Sequence, residues 1–460
     1  MVLQKHPFSI SLSHLMAIAI IGGGISGLTV AWYLQQAGIA YDLFEANDRP
    51  GGTIRTQHAS GYLLETGPNS LQLSEELQNL IQDLGLADQL QDTAAVSANR
   101  YVLREGRYRK LPGKPQQLLL DGFFSLKARY HILRELTRPA ASPDTNETLA
   151  GFIRRRFDQE LVDYALNPFI SGIYAGDPEQ LLLHKTFPQL AAMEQAHGSV
   201  LKGLAKSGGG QRRRIISLRG GLQTLTSTLA ARLTKYHGNQ AIIGLTHQPD
   251  NTYQLRTSDG ILPTTYSAVV LALPAYAAAG LLETQFPAEA TALKAVYYPP
   301  MAAIYSAYPR AAVQHPLDGF GALHPKKESR YAAGSVWTTS LFADRAPADQ
   351  VLFTTFVGGT QYEEHARQPE AVQKAAVHQE LSELYGIQGQ PSWQFRYYWE
   401  QAIPQFDTRI VPAHNAAATL TEQRIYTAAN WLSGVGVPDC IRHARKMSLE
   451  LVQANHAVQG

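Results

Sequence analysis

Hydrophobic and polar positions along this chain change period several times, and the changes mark out its elements. Residues 17–21 form an unbroken apolar run, the pattern of a parallel strand buried on both faces. The break GGGISG follows, and then Leu28, Ala31, Trp32 and Leu34 recur at helical spacing until Gly38. YDLFEA returns to a strand pattern that ends at Glu45. Residues 70–95 read as helical with Gly85 as a stop, and residues 116–205 as mostly helical, punctuated by Pro139, Pro143 and Pro168. KSGGGQRRR (206–214) has the composition of a boundary. Strand, turn and helix are predicted over 216–233, and a hairpin over 241–260 with turns at Pro249–Asn251 and Asp259–Gly260. Residues 297–358 alternate as strands do, and 424–451 read strand, SGVGVPDCI, amphipathic helix. Strand and helix patterns alternate in this way throughout, so the expected class is α/β.

One stretch could be taken for a membrane span. The longest uncharged run, PTTYSAVVLALPAYAAAGLL (263–282), opens polar and carries Pro274 at its middle. A span needs about 20 mostly apolar residues, so the expectation is a buried strand, a turn and a helix. The N-terminal residues 1–15 show no clear signal-peptide core and read as a tail or an upstream start before Met16.

Composition narrows the function. The chain has 460 residues, 45% hydrophobic and 17% charged, with 40 basic and 38 acidic side chains. That balance provides no general basic field for nucleic acid. The single cysteine, Cys440, rules out an intrachain disulfide and allows a reducing, cytoplasmic setting. One segment departs from the even charge. NRYVLREGRYRKLPGK (99–114) holds Arg100, Arg104, Arg107, Arg109, Lys110 and Lys114 against Glu105 alone. It reads as a hairpin turning at Glu105-Gly106, with Arg107 and Arg109 on one solvated face. Attraction to an anionic membrane surface or to a polycarboxylate substrate is the alternative.

The chemistry sits in the first elements. Gly22-x-Gly24-x-x-Gly27 lies between a strand and a helix, with an acid, Glu45, about 20 residues on, as a dinucleotide site requires. Gly22 allows the tight turn, Gly24 lets the backbone approach a pyrophosphate, and Gly27 lets helix and strand pack closely. The helix N-terminus offers free N–H groups to phosphate. Glu45 suits a ribose diol and disfavours a 2′-phosphate. Nothing suggests a metal: there is no H-E-x-x-H, Cys440 has no cysteine partner, and the histidines are scattered. No nucleophile–base spacing stands out either.

EANDRPGGTIRT, with Arg49, Gly51 and Gly52, resembles the E-x(3)-R-x-G-G pattern of the amine-oxidase-like flavoprotein superfamily, and GYLLETGPNSLQ stands where that superfamily places a turn near the flavin. The resemblance implies FAD. Further along, GIYAGDP (172–178), SLRGGLQTL, LPAYAAAGLL, YYPPMAAIYSAYPR, GFGALHPKKESR, SLFADRAP, TTFVGG, YYWEQAIPQF and SGVGVPDCI follow the order of the oxygen-dependent porphyrinogen oxidases. The chain is identified by this resemblance, from about residue 16 to 455, as a member of the protoporphyrinogen oxidase / coproporphyrinogen III oxidase family.

The resemblance implies a Rossmann-type FAD-binding domain with an inserted mixed β-sheet substrate domain and a mostly helical subdomain. The expected partition is FAD-binding 16–90, 211–290 and 400–460, helical 91–210, and substrate sheet 291–399. It implies FAD contacts at Gly22, Gly24, Ser26, Gly27, Glu45, Ala46, Arg49, Thr53, Gly67, Pro68, Asn69, Ser70, Ile242, Trp399, Val435, Gly436 and Val437. Thr53 replaces a frequent Lys or Arg, and Asn69 a frequent Asp. For a tetrapyrrole substrate it implies Arg100 on a propionate, Leu323 and Phe342 as walls sandwiching a pyrrole, and Gly172 and Gly176 lining the pocket. It implies no catalytic side chain and no metal. The implied activity is six-electron oxidation of protoporphyrinogen IX by FAD and O₂, with coproporphyrinogen III as the alternative substrate. Another flavin amine or carotenoid oxidase and a non-catalytic flavoprotein stand behind these. Peripheral association with the cytoplasmic face of a membrane, and a homodimer, stay open on sequence alone.

Overall fold

The chain is a computed structural model that describes residues 17–113, 117, 121–206 and 214–459. The predicted N-terminal tail 1–15, most of the boundary 206–214 and Lys114 lie outside the described residues. The apolar run near the start becomes the strand Ile18–Ile21, the centre of a five-stranded parallel sheet. The order across it is Tyr236–His237, Tyr41–Phe44, Ile18–Ile21, Ala268–Leu271, Ile425–Thr427. Its strands therefore come from four separate stretches of chain.

Both faces of this sheet are covered, which is why its central strand is apolar throughout. Ile18 and Ile20 pack on the layer that holds helix Ile25–Gln36 and the C-terminal helix Val437–Gln459. Ala19 and Ile21 face the other layer, built from the antiparallel ribbon Gly244–His247, Tyr253–Thr257, Gly260–Tyr266 and from helices Ala275–Leu282, Pro287–Lys294 and Ile410–Glu422. The uncharged run 263–282 resolves into the end of that ribbon, the buried strand Ala268–Leu271 and the helix Ala275–Leu282. No helix among the described residues is long and apolar enough to cross a membrane.

A second, seven-stranded sheet runs Trp393–Trp399, Met301–Pro309, Gln350–Gly358, Gly334–Trp337, Gly321–Leu323, Tyr101–Arg104, Arg107–Lys110. Neighbours are antiparallel except Gly321–Leu323 and Tyr101–Arg104, which are parallel. The basic hairpin is thus the edge of this sheet rather than part of the helical stretch that follows it in sequence. Its turn residues Glu105 and Gly106 both have positive φ, +54° and +73°, as a tight hairpin needs. Helix Glu370–Tyr385 covers one face of the sheet. Against the other lies the hairpin Thr56–Ala59, Tyr62–Glu65, through Tyr62 and Leu64. The Tyr305 hydroxyl donates to the Glu65 carbonyl at 2.6 Å, so the hairpin is tied to the seven-stranded sheet at this point.

The helical portion includes Leu126–Arg134, Leu149–Arg156, Asn167–Tyr174 and Pro188–His197. Pro168 does not break its helix: it sits in the first turn of Asn167–Tyr174, directly after a π-helical turn at Val162–Leu166, and the helical run continues through it. At the centre of the helical portion the buried Arg156 guanidinium is paired with Glu135 and Glu194. Burial opposes ionisation, yet both carboxyls are held below their ordinary range: Glu135 by donors from Ser199, Arg156 and the Val200 N–H, and Glu194 by Arg155, the Ala141 N–H and the charge of Arg156.

Candidate functional site

The first and third glycines of the loop are demanded by the protein itself. Gly22 has φ +110°, and a Cβ there would lie 2.4 Å from the Ala272 carbonyl oxygen. A Cβ on Gly27 would lie 2.0 Å from the Gly22 oxygen, so helix and loop touch backbone to backbone. Gly24 differs. Its φ of −71° suits any residue, and a Cβ there would meet nothing within 4 Å. The protein leaves space in front of Gly24, where the helix Ile25–Gln36 presents its N-terminus.

The second glycine pair closes the cradle. The Gly51 N–H donates to the Gly23 carbonyl at 2.8 Å, and a Cβ on Gly52 would sit 3.3 Å from the Gly24 Cα. Arg49 staples this loop, donating to the Gly52 carbonyl at 2.9 Å and the Ile54 carbonyl at 3.3 Å. Burial, with Arg55 nearby, lowers the Arg49 pKa. Thr53 is exposed; its carbonyl is met by Gly67, where a Cβ would come within 2.0 Å. Gly67, Pro68, Asn69 and Ser70, all half-buried, then run between the strands Tyr62–Glu65 and Leu71–Gln72.

Glu45 is buried at the end of Tyr41–Phe44. One carboxylate oxygen accepts from the Gly23 N–H at 2.7 Å and the other from the Asn47 N–H at 2.9 Å. The Asn47 side-chain amide also donates to the second oxygen, at 2.5 Å; of a carboxylate's about four lone-pair sites, one remains for a ribose hydroxyl. The exposed Ala46 follows it. The Gln240 N–H donates to the Glu45 carbonyl at 2.8 Å and the Asn239 N–H to the Asn47 carbonyl at 3.0 Å, which brings the buried Ile242 alongside.

The C-terminal loop reaches the same place. Val435 and Gly436 lead into the helix that starts at Val437, which packs along Ile25–Gln36. Gly434 has φ +106°, and a Cβ on Gly436 would collide with the Asp439 carboxylate at 2.7 Å. The buried Ser26 stands beside Cys440, joining the starts of the two helices; burial pushes the Cys440 thiol up. Trp399 is half-buried, edge-on to Tyr397, and shares an apolar cluster with Leu64, on the strand that leads to Gly67. Two helix N-termini, a glycine loop that leaves open space and a buried acid together fit a dinucleotide carrying a pyrophosphate and a ribose diol.

The expected substrate residues fall into groups. Arg100 is exposed, its guanidinium carbon 4.4 Å from the Phe320 ring centre. It precedes Tyr101–Arg104, where Val102 is paired with Leu323. Gly172, on helix Asn167–Tyr174, faces Leu323 from the helical side: a Cβ there would be 3.1 Å from Leu323 Cδ2. Leu323 thus meets Gly172 from the helical side and pairs with the strand that follows Arg100, at the junction of sheet and helices. Its flank is clamped by Lys326 on Asp177 (3.3 Å) and Lys327 on Asp163 (2.8 Å). Gly176 is buried, and its open side is filled by Gln405 Oε1, 2.6 Å from where a Cβ would be. Phe342 is buried beyond the far end of Gly334–Trp337, whose first residue pairs with Leu323. The two expected walls are therefore about 10 Å or more apart along the sheet. Arg345, which lies over the Phe342 ring, belongs to this group. Sequence pattern gives no reason to single it out, since an arginine in a loop reads as solvated.

The sequence of residues 25–451 matches the model of a family described as flavin containing amine oxidoreductase. Protoporphyrinogen oxidase 1, chloroplastic, of Arabidopsis thaliana is 31% identical, over 94% of this chain and 87% of its own. Coproporphyrinogen III oxidase of Bacillus subtilis is 30% identical, over 92% and 95%. A solved chain from Exiguobacterium sp. 255-15 superposes with a TM-score of 0.80 at 24% identity, over 95% of this chain and 99% of its own, and shares the fold. The chain belongs to the flavin containing amine oxidoreductases, an FAD-dependent enzyme family, in the group of protoporphyrinogen and coproporphyrinogen III oxidases.

Proposed function

We propose that this enzyme oxidises protoporphyrinogen IX to protoporphyrin IX. Six electrons and six hydrogens leave the macrocycle, and three O₂ leave as three H₂O₂. What supports this reading is the neighbourhood of Arg100, Leu323 and Gly172: an exposed cation on a strand end, and beside that strand an apolar side chain met by a glycine backbone. A porphyrinogen has that pattern reversed, with propionates at its edge and an apolar body.

When bound, FAD accepts electrons two at a time and passes them to O₂. The protein's part is binding and exclusion. Gly22, Gly24, Gly27 and the Gly51–Gly52 loop hold the pyrophosphate, with Glu45 on the ribose. Gly67–Ser70 and Val435–Val437 approach the flavin end. Arg100 grips a propionate, which a guanidinium can do through two parallel hydrogen bonds. Leu323 and Phe342 face the macrocycle at two points along the sheet, and Gly172 lets the helix backbone come close.

The test is kcat/KM of the FAD-loaded enzyme on protoporphyrinogen IX and coproporphyrinogen III, read by porphyrin fluorescence and H₂O₂. A higher value on protoporphyrinogen IX is expected. A higher value on the tetracarboxylate reverses the substrate assignment, and oxidation of amines with no porphyrin formed from either sinks the reading.

Exposed apolar side chains on two helices support peripheral docking on a membrane. Leu126, Tyr130 and Leu133 share one helix face and are 81%, 60% and 52% exposed; Phe169 and Ile173 are also exposed, on the helix that carries Gly172. Lys127 and Arg134 lie on the first of these helices, so apolar and basic groups share it, as an anionic lipid surface favours. Sedimentation with anionic vesicles is expected, and its loss in Leu126→Glu/Leu133→Glu checks the face.

A further inference from the structure

The buried cation beside Phe342 has no part in the reading above, and its surroundings are unusual. Arg345 is 2% exposed. Its guanidinium carbon stands 5.2 Å from the Phe342 ring centre. Nη2 donates to Ser217 Oγ at 2.6 Å, with Gln91 Oε1 at 3.4 Å and the Leu218 carbonyl at 3.5 Å. Nη1 lies 3.9 Å from Glu65 Oε1, too far for a hydrogen bond. A buried guanidinium is expensive to desolvate, and the usual remedy is a direct two-pronged grip on a carboxylate. Here the carboxylate is held back by others: Leu222 N–H on one oxygen and the Thr56 hydroxyl on the other, both at 2.8 Å. The guanidinium instead stands against an aromatic ring and a hydroxyl.

Both ends of this arrangement touch the site. Phe342 is an expected wall of the substrate cleft. Glu65 stands two residues before Gly67-Pro68, and its backbone carbonyl is fixed by Tyr305. The Leu63 N–H donates to the Arg345 carbonyl at 3.1 Å, so the segment carrying Phe342 is also held to the strand that leads into the flavin turn.

We propose that Arg345 is a positioning residue: its guanidinium fixes the Phe342 ring against the porphyrinogen, while its backbone carbonyl, held by the Leu63 N–H, ties that segment to the strand leading into Gly67–Ser70. This rests on the reading that Phe342 meets the substrate. The interaction is a cation–π contact in a desolvated place, where such contacts are strongest. Its loss lets the ring turn away and weakens substrate binding without removing any group that touches the cofactor.

The experiment is a cycle of Arg345→Met and Phe342→Leu in the full-length, FAD-loaded enzyme. KM and kcat are measured on protoporphyrinogen IX, with flavin content as the check on folding. Arg345→Met is expected to raise KM about tenfold, with kcat changed much less and flavin content kept. Arg345→Lys, which keeps a cation, is expected to recover most of the loss. In the Phe342→Leu background, Arg345→Met is expected to add nothing. If Arg345→Met alone fails to load flavin, Glu65→Gln/Arg345→Met removes both charges and takes its place in the cycle. An equal KM effect of Arg345→Met in both backgrounds overturns the proposal while leaving Phe342 as a substrate contact. An unchanged KM in Phe342→Leu overturns the reading of Phe342 itself, and the proposal with it.

Discussion

Gly172 and Leu323 meet where the helical portion packs on the seven-stranded sheet, and a methyl group on the glycine would lie 3.1 Å from Leu323 Cδ2. That distance asks the leucine to give by a few tenths of an ångström. Gly172 is inside a helix, where alanine is favoured over glycine by about 1 kcal/mol. Gly172→Ala should therefore leave thermal stability equal or higher while raising KM for the porphyrinogen, because the space at this junction narrows. Thermal melts and steady-state kinetics on one preparation check the opposite signs. A lower stability with unchanged KM would assign the glycine to packing alone.

The loop glycines allow a sharper separation. Gly24→Val puts a side chain into space that the protein leaves open, at a backbone angle valine accepts. The apoprotein should fold with near-normal stability, and flavin absorbance per protein should vanish. Gly27→Val places atoms onto the Gly22 carbonyl, and the expected outcome is loss of soluble folded protein, at a cost of about 4 kcal/mol or more. Equal damage to folding from both variants would remove the ligand argument for Gly24.

These two glycines also show what a sequence carries. The β–α–β start was legible because its signals are local: an all-apolar strand, glycines at fixed spacing and an acid at the end of the next strand. The tight turn at Gly22 and the close packing at Gly27 were legible for the same reason. The pairing of Tyr101–Arg104 with Gly321–Leu323 was not, because a hairpin pattern does not say which distant strand lies beside it. That pairing is what brings Arg100 to Leu323. Gly176 was expected to face the pocket, and its open side is instead taken by Gln405, a contact between segments 229 residues apart in numbering. Arg345 was hidden by the ordinary expectation that charge is solvated.

Arg100 is exposed at a strand end, so its contribution should be to binding. Charge-assisted hydrogen bonds to a carboxylate contribute roughly 1.5–3 kcal/mol, less where solvent screens them. Arg100→Ala should raise KM about tenfold with kcat and flavin content little changed, and the difference from the parent enzyme should shrink with added salt. Steady-state kinetics across ionic strengths measure this. A fall in kcat at constant KM would move Arg100 out of the binding role.

Glu65 provides a pH signature. Burial pushes its carboxyl up to about 7, against the lowering effects of the Leu222 N–H, the Thr56 hydroxyl and Arg345. A carboxyl raised in the folded state binds its proton more tightly there than when unfolded. Its stabilising contribution is complete below the unfolded value near 4.5 and is lost as pH rises through about 7. The span corresponds to about 3 kcal/mol. Histidines work the other way in part of this range: burial lowers His184, His315, His378 and His414, whose contributions are lost as pH falls below 6.5. The raw melting curve therefore mixes both signs. The difference between parent and Glu65→Gln isolates the carboxyl. Relative to the variant, the parent should lose stability between pH 5 and 8 and run parallel to it above pH 8. A flat difference across that range would mean Glu65 titrates as an ordinary carboxylate, paired with Arg345 as a full ion pair.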